Sequence, residues 1–147
     1  GIGRTISQKE ALDILQQGIN SGLVLQPGNA KKPSNICMCC GWCCQILNML
    51  KRSGKPAKIA CTSYYAVVDE ESCINCGNCE DKCQMEAIII DEVAQVDLDR
   101  CIGCGLCIPS CDVEAIRLEA KDEDDQWVPP ANVIGTYTNI AKERGKL

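Results

Sequence analysis

One pattern dominates the chain: Cys73-x2-Cys76-x2-Cys79-x3-Cys83 recurs 28 residues on as Cys101-x2-Cys104-x2-Cys107-x3-Cys111. The repeat is wider than its cysteines. Val68-Asp69 matches Val96-Asp97, and Ile74, Gly77, Glu86, Ala87 and Ile88 match Ile102, Gly105, Glu114, Ala115 and Ile116. Each copy opens on a short apolar run, enters a Cys- and Gly-containing loop, makes a short helix and closes on a run such as Ala87-Ile88-Ile89-Ile90. Two such halves predict a small α+β unit with pseudo-two-fold symmetry.

The spacing carries the chemistry. Three thiolates at three-residue intervals wrap a tight loop around one cubane cluster, each satisfying one iron corner. The fourth Cys follows on the short helix, beyond the reach of that loop, and in two-cluster domains it ligates the other cube. One [4Fe–4S] cluster is therefore expected on Cys73, Cys76, Cys79 and Cys111, and a second on Cys101, Cys104, Cys107 and Cys83. Gly77 and Gly105 fit positions where backbone comes close to the inorganic core. Paired Cys-x2-Cys motifs also bind zinc, but two full copies of the four-cysteine run argue for iron.

On these motifs, residues 65–119 resemble the bacterial two-cluster ferredoxins. The resemblance implies a ferredoxin-like fold, two low-potential [4Fe–4S] clusters and one-electron transfer without catalysis. The chain departs from the family in one place. Proline usually follows the fourth Cys, whereas Gln84 and Asp112 stand there.

Six of the 14 cysteines lie outside the repeat: Cys37, Cys39, Cys40, Cys43, Cys44 and Cys61. Cys37-x2-Cys40-x2-Cys43 repeats the three-corner spacing, with Cys61 as the remote fourth ligand and Cys39 and Cys44 as alternates. Three readings stay open for this set: a third [4Fe–4S] cluster, a zinc or other thiolate site, or thiols without metal. The dense run followed by a ferredoxin half also resembles the C-terminal region of longer iron–sulfur proteins of anaerobes, which implies a module of a larger redox protein. The chain opens on Gly1 rather than Met, so it reads as processed or as a segment of something longer.

Composition limits the rest. There is no His, which removes imidazole-ligated metal and His acid–base catalysis. No nucleotide-binding glycine motif and no nucleophile–base pair are present, so no catalytic residue is expected. The formal charge of −5 disfavours nucleic acid, whose phosphates need clustered Lys and Arg. It suits a redox partner protein with a basic docking face. No segment approaches the roughly 18 apolar residues of a membrane helix, and no apolar signal core opens the chain. Bunched cysteines suit metal ligation better than separate disulfide staples, so a reducing cytoplasmic setting is expected. Phe is absent, and the few aromatics (Trp42, Trp127, Tyr64, Tyr65 and Tyr137) are expected to fill the core. So poor a core is hard to stabilise by burial alone, and cluster ligation would add folding energy.

The organisation follows. Residues 1–62 form a helical, Cys-rich extension, 63–120 the two-cluster domain, and 121–147 an acidic loop and closing helix. Residues 5–22 read as an amphipathic helix, with Ser7 and Glu10 as a capping box and Gly22 after its end. Residues 25–35 read as a loop, and 36–52 as a thiol-rich loop running into a helix. The closing helix is expected over 131–144, with Pro130 at its first position. The function expected is an electron carrier. The alternatives are an electron-feeding domain of a larger oxidoreductase, or a thiol or metal redox sensor built on Cys37 to Cys44.

Overall fold

The computed structural model describes residues 3–147, and within them short helices and two-stranded antiparallel sheets make an α+β fold. Helix α1 (Gln8–Asn20) starts where Ser7 Oγ accepts from the Glu10 amide at 3.1 Å. The Glu10 carboxylate turns outward to Arg4 instead of completing the capping box. The helix ends in a Schellman motif, with the Leu23 amide on Gly18 O and the Gly22 amide on Ile19 O, each at 2.9 Å.

The loop expected over 25–35 is shorter than the sequence suggests. Val24–Pro27 (β1) pairs antiparallel with Ile36–Cys39 (β2), placing Val24 opposite Cys39 and Gln26 opposite Cys37. The first residues of the thiol run are thus strand rather than loop. Ile36 and Met38 alternate with Cys37 and Cys39, a period-2 pattern that suits a strand as well as a metal loop. A turn over Gly41 to Cys43 leads into α2 (Gln45–Arg52), as expected, and Pro56 opens a single further turn, α3 (Pro56–Ile59).

The repeated half is built by exchange. Tyr64–Val68 (β3), from the first copy, pairs with Ile116–Ala120 (β6), from the second. Ile88–Ile90 (β4), closing the first copy, pairs with Ala94–Val96 (β5), opening the second. The registers correspond: Val68 faces Ile116, and 28 residues on Val96 faces Ile88. Hydrogen bonds recur at the same offset. The Asp69 amide reaches Ala115 O and the Asp97 amide Ala87 O, both at 2.8 Å. Glu86 and Glu114 take the left-handed region at φ 54° and 53°.

The two copies differ between the third and fourth cysteines. Asn78–Lys82 is helix α4, but the matching stretch of the second copy is a turn. Asp81 donates its amide to Gly77 O at 3.2 Å. Its counterpart is Pro109, which has no amide to give. The expected second short helix is therefore lost to one proline.

The core is made of small and aliphatic residues. Leu47, Met85, Val24 and Pro56 are the largest fully buried side chains, and the first three pack with Ala66, Ala87, Ile88 and Ile116. Of the aromatics expected to fill it, Tyr65 packs against this core, whereas Trp42 is 92% exposed, Tyr137 69% and Tyr64 51%. Leu47 and Leu50 of α2 join this core, so the N-terminal extension packs directly on the repeat.

After β6 the acidic stretch makes one 3-10 turn, Glu123–Asp125. The closing helix α5 (Val133–Glu143) starts later than expected, because Asn132 rather than Pro130 sets it off. Asn132 Oδ1 accepts from the Gly135 amide at 3.0 Å. Thr136 Oγ1 donates to Asn29 O at 2.6 Å, and the Lys31 amide reaches Pro130 O at 2.8 Å. The two terminal extensions therefore meet. Among the described residues no helix is long and apolar enough to cross a membrane.

Candidate functional site

The eight cysteines of the repeat gather around two cavities. Cys83, Cys101, Cys104 and Cys107 line one, with about 360 Å³ of empty space. Cys73, Cys76, Cys79 and Cys111 line the other, with about 310 Å³. Each cavity thus takes three thiols from one copy and the fourth from the other copy. The strand exchange brings this about, since every two-stranded sheet of the repeat contains one strand of each copy.

Apart from Ser110 in the second cavity, the other side chains of the walls are apolar. Ala66, Met85, Ala87, Ile88 and Leu106 face the first cavity, and Ile74, Ile90, Ala94, Val113 and Ile116 face the second. Into this setting backbone amides donate to sulfur. The Ala87 amide reaches Cys83 Sγ and the Ala115 amide Cys111 Sγ, both at 3.2 Å, and the Ala66 amide reaches Cys101 Sγ at 3.4 Å. Such bonds tune the potential of a cluster held by those sulfurs. Sequence spacing alone gave no sign of them.

Burial disfavours the charged form of other bare thiols. It pushes Cys107 up to about 12, and Cys79 is raised by the same cause. Cys104 keeps part of its residue surface in solvent, yet the crowding around its sulfur pushes the thiol up to about 11. A bound cation reverses this balance, because a coordinating thiol is deprotonated outright. The thiols spread around each cavity instead of converging on one centre. Among the described residues no three or more Cys, Asp or Glu side chains gather as ligands of a single ion. Four soft donors around an apolar, amide-lined space suit a polynuclear iron–sulfur group as a donor set.

Gly77 and Gly105 hold left-handed φ angles of 81° and 76°, which glycine adopts without strain, and Gly105 lines the first cavity. A close approach within the protein itself falls at Gly103, where an added Cβ would lie 2.2 Å from Tyr64 O at φ +63°. Its counterpart Asn75, at φ 56°, has room for a side chain and donates from Nδ2 to Asp91 O at 3.1 Å.

Gln84 occupies the position where the resemblance leads one to expect proline. Its Oε1 accepts from the Gly41 amide at 2.9 Å, and its Nε2 donates to Gly22 O at 3.1 Å. The residue beside Cys83 thereby ties the end of α1 and the thiol turn to the repeat. Arg100 braces the same segment, donating to Met85 O at 2.7 Å and 3.0 Å and to Glu86 O at 3.1 Å.

The six remaining cysteines fall into two groups and an outlier. Cys40 Sγ and Cys43 Sγ are 3.1 Å apart. The hydrogen bond from Cys43 draws Cys40 down to about 7 and raises Cys43 in turn. Cys39 is pushed up to about 11, first by burial and then by Cys44 and Cys37. Cys44 is drawn down, first by the Leu47 amide at the start of α2. Cys61 is exposed, with φ 48°. Among the described residues no hydrogen bond joins it to Cys37, Cys40 or Cys43, the thiols expected to share a ligand set with it.

Comparison with known families agrees with this geometry. A family model described as a 4Fe-4S dicluster domain matches residues 66–121. The match covers well under half of the chain and supports a ferredoxin-type iron–sulfur domain there. No curated protein matches the chain.

Proposed function

We propose that the repeat holds two [4Fe–4S] clusters in a ferredoxin-like, pseudo-two-fold arrangement. One would sit on Cys73, Cys76, Cys79 and Cys111, the other on Cys101, Cys104, Cys107 and Cys83. The chain would pass single electrons to a redox partner and catalyse no reaction in this domain. A bound cluster supplies a one-electron couple. The protein's share is to place the thiols, exclude water with the apolar walls, and donate the Ala66, Ala87 and Ala115 amides to sulfur.

One observation carries the reading: each cavity is lined by three thiols of one copy and the fourth of the other. The net charge of −5 favours a partner with a basic docking face, and the oxygen-sensitive cofactor favours a reducing cytoplasm, as in anaerobes. The test is iron and sulfide analysis of anaerobically purified protein, with electron paramagnetic resonance before and after reduction. Two cubanes per chain, each taking one electron, are expected. Zinc in place of iron, or a single cluster per chain, would overturn the reading.

A further inference from the structure

We infer that Cys40 and Cys43 form a reversible dithiol–disulfide centre that draws electrons from the iron–sulfur half and passes them on as pairs to a disulfide substrate. This rests on the electron-transfer reading above.

Geometry singles out the pair. Their sulfurs lie 3.1 Å apart, in the turn Cys40-Gly41-Trp42-Cys43 that the Cys44 amide closes on Cys40 O at 3.2 Å. Cys43 is exposed, and Trp42 between the two thiols is 92% exposed. A ring so fully displayed offers an apolar surface beside the sulfurs for a substrate to pack on. Among the described residues no third sulfur hydrogen-bonds to either of the two. Two sulfurs this close suit a bond to each other.

The turn is also wired to the repeat. The Gly41 amide donates to Gln84 Oε1 at 2.9 Å, and Gln84 directly follows Cys83, one of the four thiols of the first cavity. Gly41, Trp42, Cys83 and Gln84 also line one open groove, together with charged side chains such as Lys51 and Glu86. The route from the cavity to the turn is therefore Cys83, Gln84 and one hydrogen bond.

The chemistry balances. A thiolate of the pair attacks one sulfur of the substrate disulfide, forming a mixed disulfide and releasing the first substrate thiol. The second Cys then attacks its partner's sulfur, releasing the second substrate thiol and closing the Cys40–Cys43 disulfide. Two electrons, one from each reduced cluster, and two protons from solvent restore the dithiol. The centre thus converts single-electron supply into two-electron delivery.

To test this, anaerobic holoprotein is reduced with dithionite, freed of excess reductant and mixed with oxidised glutathione while cluster absorbance is followed. Reoxidation of both clusters for each disulfide cleaved is expected. C40S and C43S should slow it by about tenfold or more while keeping the parent's iron content. In a second arm, the holoprotein is equilibrated in glutathione redox buffers, alkylated and analysed by mass spectrometry, where a single Cys40–Cys43 disulfide should form and vanish in one two-electron step. Clusters that reduce a redox dye but ignore oxidised glutathione, or variants as fast as the parent, overturn the inference and leave the electron-transfer reading standing. Clusters that accept no electrons sink the electron-transfer reading and the feeding route with it. Iron or zinc lost from C40S and C43S would mark the pair as metal ligands and also overturn the inference.

Discussion

Gln84 spans two segments far from it in sequence, accepting from the Gly41 amide at 2.9 Å and donating to Gly22 O at 3.1 Å. Losing both bonds leaves two backbone groups without partners, at a cost of about 1–3 kcal/mol. The Gln84→Ala variant should lower the denaturation midpoint of the holoprotein accordingly. Gly41→Ala should also destabilise, because an added Cβ would lie 2.5 Å from Gln84 Oε1. In the double variant that clash is gone, so the two effects should be less than additive. Strict additivity in a double-mutant cycle would show that the contact carries no weight.

Replacing Cys83 by Ser should affect the cluster of Cys101, Cys104 and Cys107, not that of its own copy. Iron content would fall by up to about half, and the resonance of the remaining cluster should match the one that Cys111→Ser removes. If Cys83→Ser instead disturbs the site of Cys73, Cys76 and Cys79, the exchange of fourth ligands is wrong.

Gly103→Ala is expected to be among the costliest single changes in the repeat. It combines a left-handed φ with a Cβ 2.2 Å from Tyr64 O, and a cost of about 2 kcal/mol or more follows from strain and overpacking. Asn75→Gly at the matching position removes only one exposed hydrogen bond, to Asp91 O, and should shift stability by about 1 kcal/mol or less. Chemical denaturation of the two variants side by side decides the point.

Cys40 should be alkylated as a thiolate near neutrality in the reduced protein. Its acidity is drawn down to about 7, first by the hydrogen bond from Cys43, so the reactive fraction rises through that pH rather than near the ordinary thiol value of about 8.5. Removing the donor with Cys43→Ala should move the midpoint upward. An unchanged pH–rate profile for iodoacetamide would show that Cys43 is not the cause.

Chelation of iron under reducing conditions should remove most cooperative structure. The core around the cavities is largely Ala, Ile and the thiols themselves, and ligation energy reaches only the folded arrangement. A sharp thermal transition and unchanged near-UV circular dichroism in the iron-free chain would count against this.

The repeat was legible because its signal is spacing. The period of 28 set out the strands and the cysteine loops, and each cavity is lined by three thiols of one copy and the fourth of the other. What escaped depended on long-range pairing. Ile36 to Cys39 became a strand only because Val24 to Pro27 lies beside it, and neither segment announces the other. The second helix was lost to Pro109, a single residue whose missing amide outweighs the local pattern. Trp42 looked like core filling in so aromatic-poor a chain, but its turn holds it in solvent. The role of Gln84 left one trace, the absence of a proline, and nothing in the sequence said which backbone groups it would hold.

The pairing of β3 with β6 and of β4 with β5 has a consequence for how such a chain can arise or be divided. Neither copy is self-sufficient: cut at the β4–β5 turn, each fragment keeps three thiols of one cavity and one of the other, and lacks partners for both of its strands. Separated fragments should therefore regain structure only by finding each other. A lone copy could complete itself only by joining a twin, so an ancestral single-copy peptide of this design would have worked as a dimer before duplication fused its two members.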